Sequence, residues 1–136
     1  MDGYNLIYAD EYLKELAKRD MGSARDQLVE RLSNFAGFRG CELAAVFDAY
    51  SEPYNDVRET EVNGIRVIFT PENEPADICM GKMTDSIKDR QIYVVSSDSL
   101  VQQDVFTHGA LRISSREFLD MLDATEEEIR GRLRQM

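Results

Sequence analysis

The sequence predicts one α/β domain with a mostly parallel central sheet. Three short apolar runs lack the alternation of half-buried strands, as expected of strands covered on both faces: 43–47, 65–69 and 91–95. Segments with helical periodicity separate these runs. Strands that alternate with helices indicate a three-layer, doubly wound α/β/α arrangement. The length of 136 residues suits a single core, so we treat residues 1–136 as one domain.

The helices before the first strand have recognisable ends. Asp10 is a suitable N-cap for a helix over 11–19. A second helix over 21–38, ended by Gly37 and Gly40, places five apolar residues on one face. These residues are Leu28, Val29, Leu32, Phe35 and Ala36.

The second strand is preceded by a long polar segment, 50–63, which is predicted to be a loop that ends in the turn pair Asn63-Gly64. Pro75 opens a helix that runs to about Lys88. A helix near 99–106 and a fourth strand over 110–113 are expected after the third strand.

The C-terminal region carries two capping-box signals. Ser114 with Glu117 begins one helix, and Thr125 with Glu128 is expected to begin a last helix over about 125–136.

Composition narrows the function classes. A net charge of −10 argues against gripping nucleic acid by bulk electrostatics, because Lys and Arg supply that affinity. Cys41 and Cys79 lack the spacing of a zinc or redox motif. No window approaches the ~18 apolar residues of a membrane span, so we expect a cytoplasmic protein with no membrane partner. The sequence gives no signal for an oligomeric state.

Four aspartates fall where a parallel sheet binds ligands, beyond the carboxyl ends of its strands. Asp48 directly follows the first strand, Asp98 follows the third, and Asp77 lies in the helix turn after the second; Asp2 lies at the N-terminus. Each alone is more simply a turn or cap residue. Together they would repel unless a cation lay among them, and carboxylates select Mg²⁺ or Mn²⁺. The pattern predicts phosphodiester hydrolysis by a metal-activated water.

The aspartates belong to four short motifs: Asp2-Gly3-Tyr4-Asn5, Val46-Phe47-Asp48, Ala76-Asp77-Ile78 and Ser96-Ser97-Asp98. With Gln102, Gly109 and Ser114 downstream, their order and spacing resemble the YacP-like NYN domain family over about residues 2–120. The resemblance implies a PIN-like fold and endoribonuclease activity on single-stranded RNA, with messenger RNA on the ribosome as an expected target.

The resemblance also implies roles for individual residues. Asp2, Asp77 and Asp98 would be the metal-binding catalytic acids, with Asp48 as a fourth acid near the pocket. Four further residues would contact or position substrate: Asn5, Arg25, Thr70 and Ser97. An ordinary exposed helix arginine is an equal interpretation of Arg25, and strand-end Ser and Thr residues usually cap the next helix.

One feature departs from the family pattern, in which an apolar strand precedes the first motif. Only Met1 precedes Asp2 here, so we expect either that the chain is cut or its start misassigned, or that the sheet lacks its middle strand and another segment fills the gap. This favours an alternative function, a non-catalytic PIN-like module that binds RNA or the ribosome. A haloacid dehalogenase phosphatase fits less well, because its motif needs a second Asp where Tyr4 stands.

Overall fold

The computed structural model describes residues 1–48, 58–71, 74–97 and 109–135. The helices within these ranges are α1 (Gly3–Ala9), α2 (Glu11–Arg19), α3 (Met21–Arg39), α4 (Ala76–Ser86) and α5 (Ser115–Arg134). The strands are β1 (Ala44–Phe47), β2 (Arg58–Val62), β3 (Ile65–Phe69), β4 (Tyr93–Val95) and β5 (Leu111–Ile113). None of the described helices is long and apolar enough to cross a membrane.

The sheet is mixed, with β1 parallel to β3, β2 antiparallel to β3, and β4 parallel to β5. Met1 and Asp2 lie between β1 and β4. The Val46 N–H donates to the Met1 carbonyl (2.8 Å), and the Asp2 N–H donates to the Val95 carbonyl (3.0 Å). The described residues have no full strand before α1, as expected, and this two-residue segment pairs on both sides and joins the two halves of the sheet.

The expected loop over 50–63 is also corrected. Its last part is β2, which forms a hairpin with β3. Asn63 and Gly64 both have positive φ, 50° and 89°, as a two-residue type I′ turn requires. The first part of that segment lies outside the described residues, as does the helix expected near 99–106.

Helices cover both faces of the sheet, which confirms the three-layer prediction. Ala45 and Phe47 of β1 belong to the larger apolar cluster, with residues of α1, α2, α3 and α5. Val46, the residue between them, belongs to a smaller cluster with Ile68 and with Met80 of α4. This alternation follows from the two-residue period of a strand.

The helix predictions are confirmed for α2, α3 and α4, with two corrections. The five apolar residues predicted on α3 are buried, but Gly37 lies inside the helix, and the left-handed residue that ends it is Gly40 (φ 69°). The helix start expected at Thr125 does not occur, since α5 is continuous through it. Thr125 is buried, and its hydroxyl accepts a hydrogen bond from Arg39 (2.9 Å) instead of capping a helix.

Candidate functional site

The carboxyl ends of β1 and β3 lie side by side at one edge of the sheet. Phe47 and Phe69 are partners in the parallel register, and the Thr70 N–H donates to the Phe47 carbonyl (3.0 Å). Asp48 and Thr70 therefore lie side by side, each at the first position after its strand. Asp2 pairs with Val46, one residue before that level, so Asp2 reaches the same edge.

Asp2 is the N-cap of α1, where its carboxylate accepts a hydrogen bond from the Asn5 N–H (3.2 Å). Burial raises the pKa of this carboxyl, and the negative charges of Asp48 and Asp77 raise it further, against the lowering effect of the Asn5 hydrogen bond. Asp2 thus lies within electrostatic reach of the other two predicted acids that the structure describes. This is the electrostatic condition that a bound cation would relieve.

The fourth predicted acid, Asp98, lies outside the described residues. In the described part of the chain, no three acidic, histidine or cysteine side chains are arranged to hold a metal ion. Carboxylate oxygens are the ligands that Mg²⁺ and Mn²⁺ prefer, and Asp2 lies within electrostatic reach of two of them, Asp48 and Asp77.

The Asn5 side chain connects the acidic edge to the segment that leads to Asp98. Its Oδ1 accepts a hydrogen bond from the Ser97 N–H (3.2 Å) and another from the Ser115 hydroxyl at the start of α5. The backbone N–H of Asn5 is the donor to the Asp2 carboxylate. These contacts use the side-chain oxygen of Asn5 within the protein and hold Ser97, which precedes Asp98 in the sequence, close to the first turn of α1.

Gly3 is required by the close approach of α1 to β1. A Cβ at this position would overlap the aromatic ring of Phe47. The first turn of α1 therefore lies directly against the end of β1, which brings the Asp2 and Asp48 backbones together.

An aromatic cluster continues from Phe47 away from the acids. The Tyr4 ring contacts Phe47 edge-on (5.0 Å between centroids), and Phe69 stacks on Phe47 (5.5 Å). Arg25 of α3 donates to the Tyr4 hydroxyl (3.1 Å), and its guanidinium carbon lies 5.7 Å from the centre of the Phe69 ring. The structure thus places Arg25 against the aromatic cluster at the ends of β1 and β3.

Thr70 and Ser97 differ in exposure. Thr70 is almost wholly buried (1% exposed), whereas Ser97 is exposed just before Asp98. The sequence placed Phe69 only at the end of a predicted strand and did not indicate its contacts with Phe47 and Arg25. The hairpin turn at Asn63-Gly64 was the signal that could have revealed β2 and its register with Phe69.

Comparison with known proteins supplies the family. The YacP-like NYN domain model matches residues 1–136. The chain is 35% identical to "Uncharacterized protein YacP" of Bacillus subtilis strain 168, over all of this chain and 81% of that protein. Two crystal structures of Rae1 (YacP) from Bacillus subtilis, one of a point variant, match at 34% identity. The TM-score is 0.85 for the first structure and 0.84 for the point variant. Each match covers 98% of this chain, together with 78% of the first crystallised chain and 79% of the variant. The chain therefore belongs to the YacP-like NYN domain family, a nuclease-type family with a PIN-like fold.

Proposed function

We propose that this protein is a metal-dependent endoribonuclease that hydrolyses single-stranded RNA in the cytoplasm. One observation carries the proposal: the partly buried Asp2, which pairs with Val46, and Asp48, which follows Phe47, reach the same strand-end edge, in a chain of a nuclease-type family. Acids that repel one another at neutral pH are costly to keep unless the site holds a cation.

In this proposal Asp2, Asp77 and Asp98 hold Mg²⁺ or Mn²⁺, and Asp48 adds negative charge beside them. A bound ion of this kind supplies an activated water and neutralises charge on the phosphate oxygens. The described acids alone are not in ligand geometry, so Asp98 is an essential member of the set.

Other residues serve substrate and geometry. In this proposal Arg25, which donates to the Tyr4 hydroxyl from α3, contacts phosphate, while Asn5 holds the Ser97 N–H. Thr70 and Ser97 supply polar atoms at the ends of two strands. The expected substrate is messenger RNA, and we propose the ribosome as the partner that brings it, because a net charge of −10 gives weak intrinsic RNA affinity.

The test is cleavage of labelled single-stranded RNA with Mg²⁺ or Mn²⁺, with EDTA as the metal-free control. The parent chain is compared with Asp77→Asn and Asp98→Asn, and with Asp20→Asn as a matched control, since Asp20 is an exposed helix cap. We expect metal-dependent cleavage by the parent and Asp20→Asn, lost in the other two variants.

A second candidate is a non-catalytic module that binds RNA or the ribosome. Asp2 makes only an isolated bridge with Val46 where the family pattern has an apolar strand, and this departure favours the module. RNA binding by a folded chain that cuts nothing in either metal would establish this function and exclude the nuclease.

A further inference from the structure

Two adjacent serines at the start of α5 use their hydroxyls for different purposes. Ser114 is the N-cap, and its Oγ accepts a hydrogen bond from the Glu117 N–H (3.0 Å). Ser115 is fully buried (0% exposed), and its hydroxyl donates to Asn5 Oδ1, 110 positions earlier in the chain. Alanine is the better helix former, and a buried hydroxyl is costly unless it is hydrogen-bonded. Serine at position 115 therefore serves Asn5 and not the helix.

The Asn5 side-chain oxygen has two lone pairs, and two donors occupy them. One donor is the Ser115 hydroxyl, and the other is the Ser97 N–H (3.2 Å). A backbone N–H can only donate, so a flipped Asn5 amide would set its own N–H₂ group against the Ser97 N–H. The hydrogen bond from Ser115 adds to the preference for the observed orientation of the amide.

The end of β4 is held by three different segments, one residue after another. The Val95 carbonyl accepts from the Asp2 N–H (3.0 Å), and the Ser96 N–H donates to a carbonyl of β5 (3.1 Å). The next residue, Ser97, is held by the Asn5 side chain. The first two contacts are between backbone groups, so the third is the one that depends on a side chain.

Asn5 also contacts the first predicted acid. Its backbone N–H donates to the Asp2 carboxylate (3.2 Å), while its side-chain oxygen accepts from the Ser97 N–H. One residue thus joins the capped turn of α1 to the segment that follows β4. The direction of the Asn5 side chain sets the spacing between these two parts of the strand-end edge.

We infer that Ser115 is a positioning residue of the proposed active site. Its hydrogen bond holds the Asn5 side chain, which in turn holds Ser97 against the first turn of α1. The inference rests on the proposed function and extends it, because it makes α5 part of the support of the metal-binding acids. Ser115 itself contacts neither the metal nor the RNA.

Other contacts keep α5 in place when Ser115 is changed. The Arg116 side chain donates to the Ala9 carbonyl at the end of α1 (3.3 Å), and Phe118 and Leu119 are buried in the larger apolar cluster. Ser115→Ala therefore removes one hydrogen bond and leaves the helix docked.

The first measurement is amide hydrogen exchange by NMR in EDTA, which needs neither metal nor activity. The Ser97 N–H should exchange about 3- to 10-fold faster in Ser115→Ala than in the parent, because its acceptor is less well held. The Ser96 N–H, which is bonded to the β5 backbone, is the internal control and should keep its parental rate. An unchanged Ser97 rate would overturn the inference.

The second measurement compares Ser115→Ala with Ser114→Ala, which removes the same hydroxyl one position earlier. Loss of the cap should lower the melting temperature of Ser114→Ala by about 2–6 °C. Its kcat and its affinity for Mn²⁺, measured by electron paramagnetic resonance, should stay within about twofold of the parent. Ser115→Ala should lose about fivefold in both, with KM unchanged, as expected of a residue that acts on the support of metal ligands.

A double variant tests whether Ser115 acts through Asn5. If it does, Asn5→Ala/Ser115→Ala should be no less active than Asn5→Ala alone, within about twofold. Losses that multiply would place the effect of Ser115 elsewhere and overturn the inference.

The failure of this inference can be distinguished from failure of the proposed function. Equal losses of kcat in Ser114→Ala and Ser115→Ala would reduce the effect to a weakened helix and overturn the positioning role. Parental kcat and Mn²⁺ affinity in Ser115→Ala would also overturn it, while cleavage by the parent leaves the proposed function intact. A folded parent chain that neither binds Mn²⁺ nor cuts RNA would overturn both.

Discussion

The N-termini of α1 and α3 have the same local structure and opposite electrostatics. Each begins with an aspartate cap: Asp2 accepts from the Asn5 N–H, and Asp20 accepts from the N–H and hydroxyl of Ser23. The Ser23 hydrogen bonds lower the pKa of Asp20, whereas burial raises the pKa of Asp2. Two further acids face Asp2 as well. Capping stabilises both helices, but only the first cap carries an unfavourable charge.

The difference shows how a functional site can be recognised without a ligand. A cap that served only α1 would be better placed in solvent, like Asp20. The burial of Asp2 beside Asp48 and Asp77 has no advantage for helix stability. An unfavourable charge that does not stabilise the fold is typical of a site selected for activity.

Replacing Asp2 by Asn tests this comparison most strongly. Asn caps a helix as well as Asp but lacks the charge, so α1 should persist. We expect cleavage to fall by about a thousandfold or more, because several kcal/mol of charge stabilisation at a metal site is lost. In EDTA, the free energy of unfolding should rise, because the charge that burial and the neighbouring acids disfavour is removed.

Cleavage assays and denaturant melts of the same samples measure both effects. Asp20→Asn is the matched control and should leave the cleavage rate within about twofold of the parent. If Asp2→Asn lost activity and stability together, the carboxylate would be a structural cap, and the contrast between the two helices would fail.

The second prediction concerns Asn5, which follows the α1 cap. Asn5→Ala removes the acceptor used by the Ser97 N–H and by Ser115. Losses of about 10- to 100-fold in kcat are expected, with KM nearly unchanged, as for residues that orient metal ligands. Asn34→Ala on exposed α3 surface is the control. A change confined to KM would instead make Asn5 a substrate contact.

The sequence predicted the features that depend on residues close to one another in the chain. The caps at Asp10 and Ser114 and the buried face of α3 follow from residue spacing, and all are observed. The edge of the sheet that gathers the acids follows from the strand pattern. These features involve residues within a few positions of each other, or strands of one direction.

The rest depends on contacts between distant segments. The pairing of Met1 and Asp2 with two strands, and the meeting of Arg58 with Phe69, are set by register, which spacing does not reveal. Thr125 carried a correct cap signal, but its hydroxyl is used by Arg39 across α3 and α5, so tertiary packing overrides it.

A third prediction compares glycines in the same two helices. Gly3→Ala should destabilise the protein by roughly 1–3 kcal/mol, because the added Cβ overlaps the Phe47 ring, whose neighbours would have to move. Gly37→Ala in α3 meets open space and should raise the free energy of unfolding by up to about 1 kcal/mol. Chemical denaturation of both variants measures the pair. Equal effects would show that α1 is not confined by β1.

The smallest expected effect is the pH dependence of metal-free stability. The pKa of Asp2 is raised above its ordinary value of 3.8, so the folded state keeps a proton that the unfolded state has released. Stability contributed at this residue therefore falls as pH rises above 3.8, and the full penalty is present above the folded pKa. Asp20 has a lowered pKa, so its favourable contribution is present above 3.8 and is lost as pH falls through the folded value.

In EDTA, Asp2→Asn should gain stability over the parent as pH increases towards neutrality, whereas Asp20→Asn should lose it. Both differences should vanish at low pH, where each carboxyl is protonated in both states. Urea melts of the three proteins across this range measure the two curves, and curves of the same sign would contradict the opposite electrostatics of the two caps.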